Sequence, residues 1–151
     1  MRYWKFLHIL SMFTGVTILV GMGMLFERVA HTRDVGAIRR VGPVVKTIGN
    51  IGIAGVSLGV VFGIVTAIVG DLGLASTWLI VAYVLVGLLF VLGPIEGAHA
   101  GKVTAAAVAS PIEQPSPELE ALVTDPKWPL LSYGSVVLYV LVIFDMVVKP
   151  F

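Results

Sequence analysis

Residues 48–70 read IGNIGIAGVSLGVVFGIVTAIVG, a stretch without a single Asp, Glu, Lys or Arg. A helix needs roughly 20 predominantly apolar residues to cross the hydrocarbon core of a bilayer, and this stretch meets that length. Three more long apolar runs lie at Trp4–Phe26, Ser76–Ile95 and Leu130–Val148, with Lys5 and Asp145 their only Asp, Glu, Lys or Arg residues. Backbone groups in lipid must find their hydrogen bonds within the segment, which favours helices, and the runs lack the short alternation of a membrane barrel. The expected fold is a single all-α domain over 1–151, a bundle of four transmembrane helices. Composition agrees: 58% of the residues are hydrophobic and 13% charged, against about 45–50% and 25% in soluble domains.

Charge placement orients such a bundle, because Lys and Arg gather in cytoplasmic loops. Arg28, Arg33, Arg39, Arg40 and Lys46 flank or fill the first connection and Lys102 and Lys127 the third, seven of the ten basic residues. Both loops are therefore expected inside and both termini outside, N-out and C-out, in a bacterial inner (cytoplasmic) membrane. Basic residues with a topological role and a net charge of +1 argue against nucleic acid as a partner. With no cysteine in the chain, disulfides, thiol catalysis, thiolate-held iron–sulfur clusters and c-type haem are excluded. The first run is too long for a signal-peptide core and lacks an A-x-A-like cleavage site after it, so it is expected to be retained.

The glycines of the second run recur on one face as Gly55, Gly59 and Gly63, a glycine-zipper pattern that lets two backbones approach. Ser11 and Gly15 continue a small face on the first run, so the first two helices are expected to pair, with homodimerisation the alternative use of the stripe. Trp4, Trp78, Trp128, Tyr3 and Tyr133 fall near run ends and are expected to anchor the interfaces. The short 71–75 connection implies an antiparallel hairpin. The long 97–129 connection, with Ala-rich 104–109 followed by Pro111, Pro115 and Pro117, is expected to be mobile in its first half. Ser116-Pro117 reads as an N-cap and first helical position, predicting a short surface helix over Pro117–Val123.

Polar residues at membrane depth mark functional hypotheses. Lys5 and His8 share a face near the outer end of the first helix, and Asp145 sits at similar depth in the fourth, so a Lys5–Asp145 or His8–Asp145 pair is expected to be sterically allowed. A neutral imidazole can ligate haem iron or another metal, relay protons, or bond a carbonyl. If His8 holds haem b, Ser11 and Gly15 leave room for the macrocycle and Asp145 tunes the ligand or a propionate. His31 and His99 belong at the other end, excluding a bis-histidine haem within one chain. Glu27, His31, Glu96 and His99 form a weaker candidate metal cluster, read foremost as solvated polar residues.

Trp4-Lys-Phe-Leu-His-Ile-Leu-Ser11, the basic first connection, Leu92-Gly-Pro94 at the end of the third run and Asp145-Met-Val-Val-Lys-Pro150 together resemble the integral-membrane family described as domain of unknown function 2269, over essentially the whole chain. That resemblance implies a four-pass bundle without an assigned activity. Lys5-Phe-Leu-His8 is also distantly similar to the first helix of HemJ-type protoporphyrinogen oxidases and of the copper-resistance protein D membrane domain, which implies His8 as a haem b ligand. The oxidases carry a lysine in their third helix; 76–95 contains none. Two classes of function follow: a haem-binding or redox-associated membrane protein, or a non-catalytic accessory or scaffold subunit of a larger membrane complex. A transporter needs oligomerisation to build a pathway from so few helices. No nucleotide-binding loop, catalytic serine arrangement or carboxylate pair at hydrolase spacing is present.

Overall fold

The computed structural model describes residues 1–112 and 114–149. They form five helices: α1 (Arg2–His31), α2 (Val35–Val69), α3 (Thr77–Ala109), α4 (Pro117–Val123) and α5 (Lys127–Val148). Four crossings are long and apolar enough for a membrane, the last being the α4–α5 run. At 1.5 Å per residue, α2 and α3 with 35 and 33 residues reach about 50 Å, roughly 20 Å more than a hydrocarbon core. The surplus lies at the end rich in Arg and Lys, where it builds a layer outside the crossings.

That surplus corrects two expectations. The first connection is not a basic loop: it shrinks to three residues, 32–34, and Arg28, Arg39, Arg40 and Lys46 are helical. Asp34 caps α2, its Oδ1 accepting from Ala37 N at 2.9 Å, the arrangement that satisfies an orphan N–H. The third helix does not end at Leu92-Gly-Pro94; Pro94 is inside α3, which runs on to Ala109. The stretch 104–109 is packed helix, with Val103, Ala106 and Ala107 at 0–4% exposure. Alanine is the strongest helix former, and here its small side chain also lets neighbouring helices close in. By contrast α4 forms where Ser116-Pro117 predicts it, with Leu119 N donating to Ser116 Oγ at 3.2 Å.

The tightest packing is in this layer. Phe26 and Ala30 of α1, Val35 and Ile38 of α2, Leu119 and Val123 of α4 and Trp128 of α5 close around the α3 alanines. Water drives apolar surfaces together where lipid does not, so a dense core is favoured at the aqueous end. Trp128, expected as an interfacial anchor, is 5% exposed and belongs to this core, with Phe26 6.0 Å and His99 4.7 Å from its ring. Tyr3 and Tyr133 are exposed as belts require.

Arg39 closes the layer. Its Nε donates to Ala107 O at 2.8 Å, and Nη2 donates to Val108 O at 2.9 Å and to Ser110 O. The last carbonyls of a helix have no intrahelical donor, and a cation there also meets the negative end of the helix dipole. Arg39→Ala is expected to lower stability by about 2 kcal/mol, read as earlier thermal unfolding and faster amide exchange confined to 103–110.

In the membrane-spanning part, α1 lies along α2 and α3 along α5, with α2 also touching α3. The turn at 70–76, with Gly73 at φ +66, joins the two pairs. Met1 approaches Gly70, and Lys149 Nζ stands 4.6 Å over the Trp78 ring, so both described chain ends meet that turn at one end of the molecule.

Candidate functional site

The α1–α2 contact is built from glycine. A methyl group at Gly15 would stand 2.6 Å from Val56 N and 2.9 Å from Gly52 O. One at Gly59 would meet Met12 Sδ at 2.5 Å, and one at Gly63 the His8 ring at 2.9 Å. The α2 stripe therefore faces α1 within the chain. His8 Nδ1 donates to Gly59 O at 2.7 Å, which leaves Nε2 as the ring's lone-pair nitrogen when the imidazole is neutral.

These contacts decide how a haem would fit. His8, Ser11 and Gly15 do share one face of α1, but α2 occupies it: the volume beside Gly15 is filled by Val56 and Gly52, and Gly55 lies against Gly15 and Ser11 O. The residues do not fit a macrocycle along this face. Asp145 joins none of them. It is 3% exposed on α5, and neither carboxylate oxygen has a hydrogen-bond partner among the described residues. The Lys5–Asp145 and His8–Asp145 pairs are not made; His8 is bonded to Gly59 and Lys5 is exposed. Lys149, one turn from Asp145, lies on Trp78 instead.

At the basic end, Glu27, His31, Glu96 and His99 do not form a metal-binding group among the described residues. His31 Nδ1 donates to Glu27 O at 2.8 Å and His99 Nε2 to Leu122 O at 3.1 Å. His99 thus ties α3 to α4 while His31 bonds within α1, and both rings flank Trp128.

Between the α1–α2 and α3–α5 pairs lies a cleft of about 810 Å³. Glycine makes it. Gly93, Gly97 and Gly101 recur every fourth residue on α3 and line one wall, with Gly49 of α2 and Gly23 of α1 also lining the cleft. A methyl group at any of these five would meet nothing within 4 Å, so no side chain among the described residues fills the space beside them. The floor is closed where Thr104 of α3 fits against Gly42 of α2. From mid-depth, at Met12, Val56 and Val142, the lining runs toward the basic end and becomes polar. There Ser135 Oγ donates to Glu96 Oε1, with Tyr139, Asn50, Lys46 and Trp128 around the same space. Sequence reasoning placed Glu96 only in the metal cluster. The four-residue spacing of Gly93, Gly97 and Gly101, with Glu96 beside it, was the available signal.

A volume of 810 Å³ falls in the ~300–1,000 Å³ range of small-ligand pockets. An apolar chamber with a few polar groups gathered at one end suits a molecule with an apolar body and one polar end.

No family model, curated protein or solved structure matches this chain.

Proposed function

We propose that this chain is an integral membrane protein that binds a membrane-dissolved amphiphile in the cleft between its two helix pairs. The observation that carries this is the 810 Å³ space walled by unpartnered glycines and ending at the Glu96–Ser135 pair. Glycine in a helix interior lowers stability by about 0.5–1 kcal/mol relative to alanine. At Gly15 or Gly59 close helix contact offsets that. At Gly93, Gly97 and Gly101 no protein contact does, and a bound molecule is what the space serves. The basic end faces the cytoplasm in this reading, by the positive-inside bias, and the membrane is the bacterial inner one.

The test uses a variant that fills the space without touching the rest. Gly97→Phe is expected to keep or slightly raise thermal stability, because the position is open and glycine is a poor helix residue. With Trp4 and Trp78 replaced by phenylalanine, Trp128 reports the inner end of the cleft. Brominated dodecanol is expected to quench it saturably in the otherwise native protein and not in Gly97→Phe. Equal quenching in both would overturn the proposal. A Soret band abolished by His8→Ala would instead restore the haem reading.

A further inference from the structure

The chemistry at the polar end of the cleft narrows the ligand beyond an amphiphile, and this step rests on the reading just given. Glu96 holds the only carboxyl group lining the cleft among the described residues. Ser135 Oγ occupies one of its oxygens, which leaves acceptor capacity for a ligand, since a carboxyl can accept several hydrogen bonds. A carboxylate at the end of a low-dielectric space favours a positive partner beside it.

The walls at that end are aromatic. Phe26, Trp128 and Tyr139 all line the cleft, and Phe26 and Trp128 are in ring contact at 6.0 Å. Aromatic faces attract cations through their negative π-clouds, most strongly where water is excluded, and carboxyl groups beside aromatic walls recognise organic ammonium ions. The positive charges near this end are engaged elsewhere. Lys46 lines the cleft but is an exposed residue of the basic end, where its four-carbon stem allows the ammonium to stay in water. Both His31 and His99 spend a ring nitrogen on a backbone carbonyl. Arg39 is committed to the end of α3. None of these forms an ion pair with Glu96, whose one hydrogen bond here is from Ser135.

We infer that the cleft selects amphiphilic organic cations, with the charged head at Glu96 among Phe26, Trp128 and Tyr139 and the apolar body extending toward Met12, Val56 and Val142. Affinity comes mainly from apolar burial, and the sign of charge is read by Glu96.

Tetraphenylphosphonium and tetraphenylborate provide the test, being nearly the same shape with opposite permanent charges. Each is titrated into the full chain in lipid nanodiscs, and the signal from the Gly97→Phe protein is subtracted to remove partition into lipid. The phosphonium is expected to bind at least tenfold more tightly than the borate. Glu96→Gln should remove that preference by weakening phosphonium binding about tenfold, whereas Glu96→Asp, which keeps the charge, should retain most of it. Glu118→Gln, at an exposed position of α4, should change nothing. Circular dichroism of each variant checks folding. Borate binding as tight as phosphonium, or an unchanged preference in folded Glu96→Gln, would overturn the charge assignment while leaving the cleft reading intact. If neither ion nor brominated dodecanol binds above the Gly97→Phe background, both fall together.

Discussion

Replacing Gly15 with valine is expected to part α1 from α2 and lower stability by about 3 kcal/mol. The first carbon of any side chain at this position would stand 2.6 Å from Val56 N and 2.9 Å from Gly52 O, both main-chain atoms of α2. A flexible neighbour could swing aside; a helix backbone cannot, so the two axes must separate along their length. Separation also pulls Gly59 O away from His8 Nδ1, a 2.7 Å bond, and opens the packing of Met12 on Gly59. Gly21→Val is the matched control. It lies on the same helix with nothing within 4 Å of the added carbon and is expected to leave stability unchanged. Reversible unfolding of both variants in mixed detergent micelles measures the difference. A Gly15→Val protein as stable as Gly21→Val would show that α1 and α2 are not held by this contact.

The second large effect runs the other way. Asp145→Leu is expected to raise stability by about 2–3 kcal/mol, the order of the difference between an acidic and an aliphatic residue inside a bilayer. Asp145 is 3% exposed with both oxygens unpartnered, and burial of such a group without hydrogen bonds is destabilising. Asp145→Val separates charge from volume, being closer in size to the native side chain. Stabilisation by both is the expected outcome in the same unfolding measurement. A loss of stability in both would mean that the carboxyl is held by a partner in the folded protein, which then becomes the group to identify.

The four crossings were legible because lipid imposes a length and an apolar composition on each, and α4 because Ser116-Pro117 is a local cap that needs no distant partner. The α1–α2 pairing was legible for a similar reason: glycines four residues apart on α2 announce a close backbone approach wherever a partner lies. Failures cluster where charge or an imino acid masked helix. Arg39, Arg40 and Lys46 read as a loop because a topology signal is indifferent to backbone conformation, and Pro94 read as an end although α3 passes through it. Trp128 sits beside a run end and looks like a belt residue; only the surplus length of α2 and α3 carries the neighbours that bury it. At the site, His8 drew attention as a lone histidine, yet its partner is a carbonyl exposed to it by the glycine at position 59. The cleft was hidden because glycine can mean contact, as at Gly15, or vacancy, as at Gly97, and one-dimensional spacing is the same for both.

The core at the basic end draws at least one residue from each of the five helices, ending with Trp128. During synthesis, α1 and α2 are complete by residue 69 and can pair through Gly15, Gly52 and Gly59 while the rest of the chain is still being made. The core has no such freedom: it cannot close until Trp128 has left the ribosome. The first two crossings can thus pair as a hairpin before the core at the basic end is able to close.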